Sequence, residues 1–220
     1  MRARSWVLVS TALAVGAIVA AATGGSIGGS QARAASFDCA RAATATELAI
    51  CANATLSALD GALGLAYDQQ LALNPSIKQI ERGWLKVRNV GCGRDVGCLT
   101  SLSRAQLAWL RSGAPRFSGA LPTRVGLCSL TTIRLVGPRL ENTPGSGSEV
   151  AEVNGAYQVS YDQIPAMDAS RPGDPALVCL ISVPRGCPPG DGRGRVYGVA
   201  NLRTPGAWSE PDSEHECGGA

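Results

Sequence analysis

Histidine is almost missing from this chain, since the single imidazole is His215, in a polar stretch near the C-terminus. Lysine is nearly as scarce, with only Lys78 and Lys86. These absences remove several reaction classes. A zinc-protease helix needs two histidines one turn apart, and a Ser–His–Asp arrangement needs an imidazole held to within about 0.5 Å, which a polar tail does not provide. A phosphate-cradling Walker loop needs glycine directly before lysine, whereas the two lysines follow Ile77 and Leu85. No Cys-x-x-Cys pair occurs, so the usual zinc-ligand spacing is lacking as well. Residues 190–194, Gly-Asp-Gly-Arg-Gly, are not a dinucleotide fingerprint and read as a surface turn. The sequence therefore predicts a non-enzymatic protein with no catalytic residue, no metal ligand and no cofactor. A carboxylate pair acting on sugar is the one enzymatic arrangement that composition leaves open.

A long apolar run is also lacking. Residues 6–22 are rich in Val, Leu and Ala, but this stretch is short of the about 20 residues that a membrane helix needs. Arg2 and Arg4 precede it, and small residues follow, ending in Ala32-Arg33-Ala34. That is the pattern of a bacterial-type signal peptide, residues 1–34, cut after Ala34. An uncleaved anchor is the alternative. A lipid anchor is not expected, because Ser36-Phe37-Asp38 before Cys39 is too polar for a lipidation box. Cleavage removes Arg2, Arg4 and Arg33 and leaves 17 basic against 17 acidic side chains, a net charge of zero. A nucleic-acid interface, which is usually basic, is not expected, nor is a membrane span after cleavage.

What the chain does have is cysteine. All eight cysteines follow the leader: Cys39, Cys51, Cys92 and Cys98, then Cys128, Cys179, Cys187 and Cys217. An even number in an exported chain predicts four disulfides of about 2–4 kcal/mol each. The division into four and four predicts two modules, residues 36–113 and 125–220, each closed on itself, with a Gly- and Pro-containing linker at 114–124. Three pairings are open in the first module. In the second, a bridge from Cys179 to Cys187 would have to turn back over about 8 × 3.3 Å of chain. Cys128 and Cys217 are therefore expected to hold the other two. Reduction should destabilise the protein, the small helical module most of all.

The first module reads as helices. Thr44 and Glu47 form a capping box, and a helix to about Cys51 follows. A second helix starts near Asn53 or Thr55, with Leu56, Leu59, Leu63, Tyr67 and Leu71 on one stripe. Asn74-Pro75 predicts the start of a third, carrying Ile77, Ile80, Trp84 and Val87 and ending at Gly91-Cys92-Gly93. Asp95 caps a fourth, with Leu99, Leu102, Trp109 and Leu110. Short connections make successive helices antiparallel, which lets Asp60 pair with Arg88.

The order and spacing of Phe37-Asp38-Cys39-Ala40-Arg41-Ala42, Thr46-Glu47, Ile50-Cys51-Ala52, Leu56-Ser57-Ala58-Leu59-Asp60, Tyr67, Trp84-Leu85-Lys86-Val87-Arg88, Cys92 and Cys98-Leu99 resemble the LprI-type lysozyme-inhibitor domain over residues 36–111. The resemblance implies a secreted or envelope protein, with lysozyme or another cell-wall hydrolase as partner. Its motif residues here are Glu47, Leu59, Asp60, Tyr67, Trp84 and Arg88, for which cap, core and ion-pair roles are expected. The family usually has Gln at the position of Glu81, Asp at that of Asn89, and Tyr and Arg where Ser103 and Gln106 stand.

After residue 124 the helical period disappears. Residues 129–136 alternate as a strand. Residues 149–161 form a hairpin around Asn154-Gly155, with both turn residues expected at positive φ. Residues 176–183 and 195–202 read as further strands, about five in all. The fold class is therefore α+β, a small disulfide-stapled helical bundle followed by a small antiparallel β module. Glu210, Asp212, Glu214 and Glu216 form an acidic tail pinned by Cys217, either solvated or suited to docking a basic lysozyme. The functional expectation is an exported protein, periplasmic, wall-associated or extracellular. It would occlude a lysozyme's cleft, or alternatively bind the cell envelope without inhibiting anything.

Overall fold

Local side-chain chemistry sets most of the helix starts in the computed structural model, which describes residues 35–219. The expected leader, residues 1–34, lies outside them. After a 3-10 turn at Cys39–Arg41, Thr44 opens α1 (Ala45–Ala52): its hydroxyl accepts from Glu47 N, while the Glu47 carboxylate accepts from Thr44 N. Asn53 then ends α1 and caps α2 (Ala54–Leu73), its Oδ1 accepting from Leu56 N, and the two helices meet at 110°. Asp95 caps α4 (Val96–Arg111) in the same way. The third helix departs from expectation. α3 spans Ile77–Cys92, because Asn74 Oδ1 accepts from Ser76 N and Oγ and so closes a turn instead of capping the helix. Gly93, at φ 52, ends it.

Six strands follow: β1 (Cys128–Pro138), β2 (Ser148–Glu152), β3 (Tyr157–Ser160), β4 (Pro175–Ser182), β5 (Val196–Asn201) and β6 (Ala207–Pro211). They form one antiparallel sheet in the order β3-β2-β1-β4-β5-β6. The sheet curls, bringing its two edges together where Trp208 Nε1 of β6 donates to Gln158 Oε1 of β3 at 3.3 Å. The β2–β3 turn differs from the expected two-residue form. Only Gly155 has positive φ, at 88°, and Gly155 N donates to Glu152 O while Glu152 N donates to Ala156 O. This is a three-residue loop whose glycine forms a bulge. β6 is a sixth strand where the sequence suggested a tail.

β4 explains how the layers join. Ala176, Val178 and Leu180 face the inside of the curl with Ile133, Val150, Val199, Tyr197 and Trp208. A one-turn helix, α5 (Pro165–Asp168), adds Met167 to that core. The alternate residues Leu177, Cys179 and Ile181 belong to the other core, with Trp84, Val87, Leu99, Leu102 and Leu110 of the helices. A strand apolar on both faces needs cover on both faces, and α3 supplies the second cover. α3 approaches closely because glycines line the contact. A Cβ at Gly83 would lie 2.7 Å from Leu202, and one at Gly198 would lie 2.6 Å from Val87.

Helices and sheet are therefore parts of one compact unit with a shared core. The bridges are nevertheless local to each half: Cys39–Cys51, Cys92–Cys98, Cys128–Cys179 and Cys187–Cys217. The expected linker lies against the helices. Phe117 stacks on Trp109 with ring centroids 4.4 Å apart, and Trp109 Nε1 donates to Pro115 O. Four disulfides fit an exported protein in an oxidising setting. No single described helix is long and apolar enough to cross a membrane.

Candidate functional site

Asp60 and Tyr67 are seven residues apart on α2, two turns and hence one face. Glu81, Trp84 and Arg88 recur at three and four residues on α3. Together with Ser36 they line a cleft of about 150 Å³ between the two helices. Four of the six motif residues thus meet in one place. The other two do not: Glu47 caps α1, and Leu59 is half-buried against the helical core.

The cleft is an ionic core. Arg88 Nη1 donates to Asp60 Oδ1 at 3.0 Å, with both side chains under 10% exposed, and the guanidinium lies 5.3 Å from the Trp84 ring centre. The other carboxylate oxygen of Asp60 accepts from Ser36 N and Oγ. Trp84 is fully buried and its Nε1 has no partner among the described residues. Glu81 accepts from Gln106 Nε2 at 2.6 Å. Burial pushes the Glu81 carboxyl up to about 7, against the opposing pull of Gln106 and Arg88. A second buried acid, Glu152 in the sheet, is also pushed up to about 7 by burial, although Gln158 donates to it.

A carboxyl whose pKa rises on folding binds its proton more tightly in the folded state. Its stabilisation is complete below the unfolded value near 4.5 and is lost as pH rises through about 7. Each glutamate can contribute up to about 3 kcal/mol in this way. The chain should therefore melt at higher temperature at pH 5 than at pH 8, and Glu81→Gln with Glu152→Gln should flatten the difference. Melts that are flat over this range in the parent chain would contradict the assignment.

The tail carboxylates have different surroundings. Glu210 lies half-buried on β6, where burial raises its pKa. Asp212 accepts from Gly194 N and Arg195 N at 2.7 and 3.0 Å and pairs with the Arg195 guanidinium. Glu214 pairs with Arg139 at 3.1 Å. Glu216 alone is exposed without an ion-pair partner among the described residues. Most of the segment is consequently tied into the sheet. Asp174 shows the same internal use of charge, since Arg203, Asn201 Nδ2 and Arg171 N all donate to it, and the Arg203 bonds hold its carboxyl well below the usual range. Among the described residues, no group of three His, Cys, Asp or Glu is placed to hold a metal ion.

Uncompensated charge lies on the outer edge of α3. Lys78, Arg82 and Lys86 recur every fourth residue and line an open cleft of about 500 Å³, with Gln79, Asn201 at the end of β5 and Leu202 just after it. None of the three has an ion-pair partner among the described residues. Like charges four apart on a helix repel, so this row works against the helix that carries it. Sequence reasoning missed it, although both lysines of the chain fall on it and the spacing was visible. A second open surface lies at the disulfide pole, where Leu48 and Val96, 54% and 43% exposed, border a shallow apolar groove with Ala45, Ala49 and Arg94. No family model, no curated protein and no solved structure matches this chain.

Proposed function

We propose that this is an exported, non-enzymatic binding protein of the cell envelope, and that the outer edge of α3 binds an anionic envelope polymer. The observation that carries this reading is the unpaired row Lys78, Arg82 and Lys86 beside its cleft. The row spans about 12 Å along the helix at 1.5 Å per residue, enough to meet successive negative groups of a polymer. The remaining acids and bases of the helical core are engaged internally, Asp60 with Arg88 and Glu81 with Gln106. Mature chain incubated with isolated cell walls should co-sediment with them. The triple variant Lys78→Gln, Arg82→Gln, Lys86→Gln should bind at least about tenfold more weakly while keeping its circular dichroism. Undiminished binding by that variant, or binding to walls already stripped of anionic polymer, would refute the reading.

Lysozyme inhibition is the second reading. It rests on the resemblance of residues 36–111 and on the apolar groove at Leu48 and Val96. Dose-dependent protection of a wall suspension from c-type lysozyme, lost in Leu48→Asp, would favour it.

A further inference from the structure

The loop between β4 and β5, residues 183–195, is clamped on one side and free on the other. On the clamped side Cys187 is bonded to Cys217, Asp191 accepts from Gly218 N, and Cys217 N donates to Arg193 O. On the free side, no backbone N–H or carbonyl from Val183 to Gly186 has a hydrogen-bond partner among the described residues. Val183 is 45% exposed, and a Cβ at Gly186 would meet nothing within 4 Å. Arg185 stands exposed in this free stretch, between Pro184 and Gly186.

The other arginines in loops are engaged. Arg139, Arg193, Arg195 and Arg203 pair with Glu214, Asp191, Asp212 and Asp174. Arg171 is followed by Pro172, whose fixed φ and missing N–H disfavour cleavage between the two. After Arg94 the Asp95 N–H is bonded to Cys92 O, and Arg124 O accepts from Leu127 N. Arg116 precedes Phe117, which is stacked on Trp109. Arg185 alone combines an exposed cation without an ion-pair partner among the described residues, a backbone free to pair and a small residue after it. A serine protease with an acidic specificity pocket takes a basic side chain of this kind. An extended segment also binds through its own main-chain groups, which this one leaves open. Exposed loop tips with small residues are where nicking concentrates.

We infer that the Arg185–Gly186 bond is a processing site for a trypsin-like serine protease, cut in the folded protein. Water adds across the bond, leaving the carboxylate on Arg185 and the amine, which takes a proton, on Gly186. No disulfide spans the cut. Cys39–Cys51, Cys92–Cys98 and Cys128–Cys179 lie before it, and Cys187–Cys217 lies after it. The product is a two-chain protein held together by packing and hydrogen bonds. Its second chain supplies β5 and β6, with Tyr197, Val199 and Trp208 inside the curl and Ala200 in the helical core. The site is independent of what the α3 edge binds.

The test is limited digestion of the oxidised mature chain with trypsin, read by intact mass. The first products should be residues 35–185 and 186–220. They should elute as one species in native gel filtration and separate in detergent without reducing agent. Arg185→Gln should slow the first cut at least about tenfold and leave the melting temperature unchanged. Cutting a native loop does not wait for unfolding, so the rate should stay flat in urea below the unfolding transition. A chain left intact, a first cut at another bond, or Arg185→Gln nicked at the parental rate would each overturn the inference. So would fragments that part in native buffer, or a rate that climbs with urea as an opening equilibrium does.

Discussion

Replacing Asp60 by alanine should cost about 3–5 kcal/mol and lower Tm by on the order of 10 °C. The substitution removes the partner of Arg88, whose side chain is 7% exposed, and leaves a guanidinium in the helical core without its ion pair. It also releases Ser36, which Asp60 holds through two hydrogen bonds. Removing both charges is a different experiment. Asp60→Leu with Arg88→Met takes away the buried ions together, and such replacements are often neutral or stabilising. The double variant should therefore recover most of what the single one loses, with the Ser36 contacts as the remaining deficit. A loss under about 1 kcal/mol in Asp60→Ala, by urea titration with an unchanged slope, would show that the pair is not desolvated. Asp60, Trp84 and Arg88 would then have no structural role to explain their meeting in one cleft.

The second large effect concerns the disulfides. Cys128 and Cys179 stand directly opposite one another on β1 and β4 and close a loop with a sequence separation of 51. Cys92–Cys98 closes one of only 6. Loop-closure entropy gives about 4 kcal/mol for the first and about 2 kcal/mol for the second. Cys128→Ala with Cys179→Ala should accordingly destabilise the protein about twice as much as Cys92→Ala with Cys98→Ala. This reverses the expectation that the helical half depends most on its bridges. The helices have a second source of stability in the sheet, through Leu177, Ile181 and Ala200. A larger loss from the Cys92–Cys98 pair would contradict the shared core.

What could be read from the sequence depended on how local the cause was. Thr44 with Glu47, Asn53 and Asp95 are caps that act within one turn, and they set α1, α2 and α4 where expected. Asn74 misled because its side chain closes a turn two residues before α3 begins. The apolar run of β4 was readable as a strand. Its consequence, cover on both faces and hence one core in place of two modules, needed the further step from continuous hydrophobicity to burial. β6 escaped because it offers only Trp208 as a large apolar residue and ends in Ser209-Glu210-Pro211. The partners of the tail carboxylates, Arg139, Gly194 and Arg195, lie just after β1 and just before β5, distant in sequence, so the acidic segment looked free. Asp60 and Arg88, 28 residues apart, could be paired from sequence only because a short connection makes α2 and α3 antiparallel. The row Lys78, Arg82 and Lys86 has a plain period of four, but nothing in the sequence marks it off from any other charged residues on a helix. Only its lack of carboxylate partners among the described residues makes it a candidate site.

The central claim, binding through charge on the outer edge of α3, is tested most directly by a salt titration of mature chain on isolated cell walls. With three cations neutralising anionic groups of the wall, the logarithm of affinity should fall linearly with the logarithm of salt concentration, with a slope of about −2. Affinity indifferent to salt would contradict the claim and leave the apolar groove at Leu48 and Val96 as the surface to pursue.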